Sequence, residues 1–432
     1  MDFETYVRLS PFNKTLVNWW DLWPNFRLKL KDSFKRQLLE VAWAKAGGKF
    51  TYLSNDIGIE RRTLSNYLKD GRGITLQNLR KIMHYISFPL ESANDKIVRI
   101  GKLCPRFPFK LHSVEGAEIR AAFLSDGHVD KNPVKVCRYH ACEHELHTRL
   151  VGLCKTVFGK FEAKTKPDGN TLKTYFPAVI GFSLSICGVP AGNKGRANPC
   201  LPKDIMLGSE AIQCAYLRRV FDDEGDVCFE NKSKRAVRVT RSYFYSGNLP
   251  ISKGKWIYCK GFPSGRLILG EYLLMKKILA CKIGLYSEGI YKALSGQMSV
   301  KHRIQLTQRT NLEKFYHRIG FTLSFKRQKL KDAIDSYVLT KFQNGDGLKF
   351  VFERVEEICA RKGAVKYSDI SLELAAIGRC RDLAGRYLKK LVDLKVLLKV
   401  KRGVYVYHQD FNNRRLSRGS SFKNITSPSG YN

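Results

Sequence analysis

Apolar residues recur every three to four positions through residues 27–95, with Leu64 and Leu68, then Leu76, Leu79, Ile82 and Met83, each set on one helical face. The spacing predicts a short helix over 53–57 closed by Gly58, a second over 60–69 closed by the Gly71 to Gly73 turn, and a third over 75–86. Pro105 and Pro108 break the pattern, which predicts a linker over 100–109. Beyond it, helical and alternating segments mix. Strands are expected over 135–139, 227–230 and 235–241, and helices over 119–126, 143–158, 217–224 and 270–283. A second linker is expected at 341–347. It is followed by helices over 350–361, 368–376 and 379–394 and by two strands around Arg402 and Gly403. The pattern divides the chain into a helical domain over 1–100, a mixed core over 110–340 with halves 110–208 and 209–340, a domain over 348–410, and a basic tail over 411–432. The tail composition cannot build a core, so disorder is expected there.

The helix, glycine turn and helix of residues 53–69 resemble the lambda-repressor-like helix-turn-helix family. That resemblance implies a second helix lying in the DNA major groove. Arg61, Arg62, Thr63, Ser65, Asn66 and Lys69 would then form its exposed face, side-chain types that reach base edges and phosphates. The order helix, helix, helix, hairpin of 348–410 resembles a winged helix. Arg379, Arg381, Arg386 and Lys389 would face nucleic acid, with Arg402 on the wing.

Charge sharpens the picture. With 76 Lys and Arg against 39 Asp and Glu, the formal charge is +37, while 44% hydrophobic and 12% aromatic residues suffice for folded cores. A surplus of that size opposes compaction unless a polyanion accompanies it. No apolar stretch is long enough to span a bilayer, and the Met1-Asp2-Phe3-Glu4 start is acidic where a signal peptide is basic, so a cytoplasmic, nucleoid-associated protein is expected. Twelve scattered cysteines without a C-x-x-C pair read as reduced thiols.

An internal repeat carries the chemistry. Residues 119–127 (IRAAFLSDG) and 217–225 (LRRVFDDEG) each read as a helix ending in an acid and a capping glycine, with the acids Asp126 and Glu224 lying 98 positions apart. A basic hairpin, a helix and further strands follow each one. These stretches resemble the LAGLIDADG motif of homing endonucleases in its single-chain, two-motif form. Residues 186–194 (ICGVPAGNK) with Leu201-Pro202, and Asn311 to Phe315 with Ile319 to Phe321 and Lys326, resemble that family's flanking blocks. The resemblance implies an α+β fold: a duplicated αββαββα core with antiparallel saddle sheets, flanked by all-α helix-turn-helix and winged-helix domains. It also implies a monomer with an internal pseudo-two-fold axis.

On that resemblance the chain is a metal-dependent endonuclease hydrolysing both strands of a specific DNA duplex. Asp126 and Glu224 would hold Mg²⁺ (or Mn²⁺), a hard cation suited to carboxylate ligands. Lys194 and Lys326 would stand near the scissile phosphates. Lys135 and Arg138 of the first half, and Lys232, Lys234, Arg235, Arg238 and Arg241 of the second, would line the saddle. Two features depart from the pattern: Arg219 stands where a small residue should pack and needs a partner, with Asp222 and Asp223 as candidates, and Asp223 adds like charge beside Glu224. A non-cleaving, sequence-specific regulator is the alternative, and an RNA maturase a third reading. The Cys137 to His147 run lacks zinc spacing, Gly188 to Lys194 fails the phosphate-loop pattern, and an intein is disfavoured by Met1 and by Tyr431 before Asn432.

Overall fold

The computed structural model describes residues 1–69, 71–131, 136–230, 234–247, 256–257, 265–292, 294, 296–337, 346–377, 379 and 381–408. Lys135, Lys232, residues 341–345 of the linker expected over 341–347 and the tail over 411–432 lie outside the described residues, while residues 346 and 347 open a helix. The chain forms two compact units: one of residues 1–226, 238–306 and 314–327, the other of residues 227–237, 307–313 and 328–432.

After a first helix, Phe3–Leu9, the first unit carries four more, Asp32–Lys45, Phe50–Ile57, Arg61–Tyr67 and Leu76–Tyr85. Gly58, at φ +59°, turns the second of these four into the third. These helices do not stand alone, so the all-α expectation for this region is corrected. Arg27–Leu30 pairs antiparallel with Ile74–Thr75 on one side and with Ile97–Ile100 on the other, because alternate burial of Leu28 and Leu30 gives that segment a strand period. The expected linker over 100–109 is likewise tied down. Cys104–Pro105 pairs with Gly159–Lys160, Phe109–Lys110 pairs with Leu16–Val17, and Phe109 is fully buried between Phe107 and Phe158.

At the centre of this unit the helices Val114–Leu124 and Glu210–Glu224 pack on one another. Both start alike: Ser113 accepts the Gly116 amide and Ser209 the Ile212 amide, each with a glutamate in the first turn. Every residue from Gly116 to Leu124 is buried, charged ones included. Arg120 therefore forks onto Asp204 at 2.8 and 2.6 Å and reaches the Leu111 carbonyl at 3.0 Å, while Glu118 takes Arg149 at 2.8 Å.

Around the pair lie two antiparallel sheets. The first runs in the order Lys164–Asp168, Thr171–Phe176, Cys137–Ala141, Gly127–Val129. The second, from Arg238 onward, joins the strand ending at Phe244 to Met298–Leu306, Gly284–Lys292 and Trp256–Ile257. Strands thus follow each helix of the pair, and the whole is a mixed α+β fold of helices and small antiparallel sheets.

In the second unit Asp346–Lys362, Tyr367–Ala376 and Leu383–Asp393 bury Val351, Val355, Ile370, Leu374, Leu388 and Leu391 against one another. A three-stranded antiparallel sheet closes that core, with Val404–Tyr407 between Val365–Lys366 and Leu397–Lys401. Gly403, at φ +74°, turns the outer hairpin.

The glycines after the paired helices are not left-handed caps, which corrects the expectation for them. A Cβ on Gly127 would stand 2.6 Å from Phe123 Cα, and one on Gly225 would stand 2.6 Å from the Phe221 carbonyl oxygen. Each lets the chain fold back against its own helix. Gly127→Ala and Gly225→Ala should each destabilise the fold by about 2–3 kcal/mol, read as a lower urea midpoint of unfolding; an unchanged midpoint in either variant contradicts the close-approach role.

Candidate functional site at the paired helix ends

The paired helices bring Asp126 and Glu224 together at their carboxyl ends. The two acids feel one another: burial, then the Glu224 charge, pushes the Asp126 carboxyl up to about 6, against the pull of Lys194, Arg219 and Arg241.

Arg241 supplies one counter-charge. It was expected on the DNA-facing side of its strand, but its side chain is turned inward and only 11% exposed. Its Nε lies 2.8 Å and its Nη2 2.8 Å from the two oxygens of Glu271. Nη1 donates to the Leu124 carbonyl at 3.2 Å and to Glu224 at 3.4 Å, and Nη2 donates to Ser125 Oγ at 3.1 Å. One guanidinium thereby joins both helix ends to Glu271, whose other neighbour is the Tyr216 hydroxyl at 3.2 Å. Burial of Glu271 raises its carboxyl, while Arg241 beside it keeps its own proton more tightly than an ordinary arginine.

Arg219 also finds its partner. Of the two candidates it takes Asp223, at 3.1 Å with both side chains wholly buried, and its guanidinium lies 4.9 Å from the centre of the Tyr139 ring. Tyr139 donates to the same Asp223 at 2.7 Å. The like charge expected beside Glu224 is thus balanced within the core. Asp222 turns the other way and accepts the Thr322 amide at 2.9 Å and the Leu323 amide at 3.3 Å. Arg219 Nη2 is buried without a hydrogen-bond partner among the described residues.

The two lysines occupy matching positions. Lys194 Nζ donates to the carbonyls of Phe123, Ser125 and Gly127, at 3.4 Å for the first and 2.8 Å for the last. Lys326 Nζ donates to Phe221, Asp222 and Gly225, at 3.2 Å and 2.8 Å for the first and last. Each ammonium closes the carboxyl end of one helix, where orphan carbonyls and the negative end of the helix dipole gather. Burial, with Arg241 adding to it, pulls the Lys194 pKa down to about 8, and burial lowers Lys326 as well.

A divalent cation fits this donor set poorly. It would have to share Glu224 and the helix-end carbonyls with Arg241, Lys194 and Lys326, three cations already hydrogen-bonded there. Among the described residues, no three His, Cys, Asp or Glu side chains form a group that could hold a metal ion.

The remaining expected contacts divide by exposure. Arg61, Arg62, Ser65 and Lys69 are exposed, while Thr63 and Asn66 are half-buried between Leu64 and Tyr67, which pack inward. Arg138 is partly exposed and lies 3.4 Å from Asp130. Arg238 holds Asp226 at 3.0 Å. In the second unit Lys234 is exposed but Arg235 is corrected: it is buried, donates to Ser336 Oγ at 2.7 Å and covers Tyr337. Arg386, Lys389 and Arg402 are exposed, whereas Arg379 and Arg381 are half-buried.

The sequence reading missed a run of strand cations. Lys164, Lys166 and Lys173 on the first sheet, and Lys301 and Arg303 on the second, alternate with buried or small residues. The turn Asp168-Gly169-Asn170 between two alternating runs was the available signal.

No family model matches the chain, and no curated protein does. Among solved structures, the crystal structure of full-length DUF199/WhiA from Thermatoga maritima is similar over 65% of this chain and 92% of that one, at 11% identity and a TM-score of 0.33. The expected LAGLIDADG family membership is therefore corrected: no family model matches the chain. No described helix is long and apolar enough to cross a membrane.

Two variants separate a structural role from a surface one. Lys194→Met strands helix-end carbonyls in a buried setting and should cost about 1–3 kcal/mol of stability; a lysine that served only a bound phosphate would leave the melting temperature unchanged. Asp126 binds its proton more tightly folded than unfolded, so its ionisation removes stability as pH rises from about 4 to about 6. Asp126→Asn should therefore gain stability over the parent at pH 8 and little at pH 4, and a variant less stable at pH 8 contradicts this.

Proposed function

We propose that this chain is a sequence-specific binder of double-stranded DNA, acting as a regulator that does not cleave, with the repeated halves forming one monomeric binding body. The observation that carries the reading is the contrast between its inner and outer charges. Inside, Arg219 is matched by Asp223, Arg241 by Glu271 and Glu224, and Lys194 and Lys326 by helix carbonyls. Over the whole chain, Lys and Arg exceed Asp and Glu by 37. The helix Arg61–Tyr67 turns Arg61, Arg62 and Ser65 outward, with Lys69 just beyond its end, and Arg62, Ser65 and Lys69 share one face at spacings of three and four. Exposed cations at that spacing suit phosphates and guanine edges in a major groove.

The acids at the paired helix ends serve this reading as structural charges. Glu224 holds Arg241, and the charge of Asp126 favours the ammonium forms of Lys194 and Lys326. A hydrolytic role would require them to bind divalent metal, and their present partners compete with that.

The test is incubation of the full chain with a randomised duplex library and Mg²⁺, with sequencing of bound molecules and of cut ends. The expected result is an enriched motif without defined ends. Cut ends that vanish in Asp126→Asn and Glu224→Gln would overturn the non-cleaving assignment. On the enriched duplex, Arg62→Ala with Lys69→Ala should lower the slope of log affinity against log salt by about two; an unchanged slope would place the DNA elsewhere.

A further inference from the structure

The first sheet carries a pattern that duplex binding does not call for. Its inner positions, Cys137, Tyr139, Ala141, Thr174 and Phe176, are buried. On its outer face the register aligns two rows across three strands. Lys164 stands opposite Tyr175, which stands opposite Arg138; two residues further along, Lys166 stands opposite Lys173, which stands opposite His140.

Like charges placed directly across a ladder repel. Here Lys166 faces Lys173, and the nearby carboxylate is Asp168, 3.4 Å from Lys173 and 3.5 Å from His140. Asp130 plays the same part for Arg138 at 3.4 Å. The strand Lys164–Asp168 is exposed along its whole length. A sheet that keeps such a row has a use for its field, and an anionic chain lying across the strands supplies the missing counter-charge.

The ring within the cations identifies which anionic chain. Tyr175 is 37% exposed, with Lys173 Nζ 5.7 Å from its ring centre, and its cross-strand neighbours on either side are cations. In a paired duplex the base faces are covered by their stacked neighbours, so an exposed ring gains nothing from them. An unpaired base offers a free face, and base stacking on an aromatic ring with phosphates held by flanking cations is the general arrangement of single-strand sites.

We propose that the outer face of the first sheet is a separate site for single-stranded nucleic acid, with Tyr175 stacking on an unpaired base and Lys164, Lys173 and Arg138 holding the adjoining phosphates. Its residues are other than those of the duplex-binding helix Arg61–Tyr67. It gives the chain a second ligand class, a strand whose bases are free.

The test measures fluorescence anisotropy of labelled oligo(dT) and oligo(rU) with the full chain, beside a duplex carrying the motif enriched from the library. At least one oligomer should bind, and the two sugars show whether DNA or RNA is preferred. Tyr175→Ala should weaken that binding about tenfold, and Tyr175→Phe should stay within about twofold of the parent, because stacking needs the ring and not the hydroxyl. Duplex affinity should be unchanged in both. Absence of single-strand binding, an unaffected Tyr175→Ala, or an equal loss on duplex and single strand would each overturn the site. Failure of duplex binding with intact, Tyr175-dependent single-strand binding would overturn the duplex reading and leave this one standing.

Discussion

Burying charge is the constraint on which this fold is built. The helices Val114–Leu124 and Glu210–Glu224 meet at its centre and carry Glu118, Arg120, Arg219 and Asp222 into positions almost wholly out of water. Removing one partner of a buried pair typically costs about 3–5 kcal/mol, so each of these groups dictates a second element. Arg120 fixes Asp204 ahead of the second helix, Glu118 fixes Arg149 on the helix His144–Phe158, and Asp222 caps the turn at Thr322. The architecture around the pair follows from these demands as much as from its apolar packing.

The same demand shapes the helix ends. Carbonyls that lose their helical partners converge there with Asp126 and Glu224, and the region would be strongly negative without help. Lys194, Lys326 and Arg241 are drawn in from three separate segments to neutralise it. Once they are in place, Glu224 is tied to Arg241 and the helix-end carbonyls to the lysines. Inner balance and outer excess together make a nucleic-acid binder the natural reading of the molecule.

Much of the secondary structure was legible in the sequence because apolar spacing reports it directly. The helices 143–158 and 350–361, and the hairpin turning at Gly403, follow their patterns closely. The helix expected over 270–283 instead starts at Arg266 and stops at Leu279, where Ala280 turns left-handed, a conformation its residue type does not announce. The short strands Arg27–Leu30 and Ile97–Ile100 were invisible because two- to four-residue ladders leave almost no periodic trace. At the site, the meeting of Asp126 with Glu224 was readable from the repeat, and the need of Arg219 for a nearby acid was readable from its burial. The family drawn from those motifs was not upheld. Motif spacing reports helix ends, whereas the partners that decide their chemistry, Glu271 for Arg241 and helix carbonyls for the lysines, come from distant positions in the chain. Which face of the strand Lys234–Phe244 looked outward was equally hidden, and Arg235 and Arg241 proved to point inward.

The chain's own cations occupy Glu224 and the carbonyls at the paired helix ends, leaving no room there for a divalent metal. This is tested most directly by titrating Mn²⁺ into the full chain bound to its duplex and following the free ion by electron paramagnetic resonance. No Mn²⁺ should be held beyond the amount the same duplex binds alone, and Asp126→Asn should change nothing. Tightly held Mn²⁺ that is released in Asp126→Asn or Glu224→Gln would contradict it.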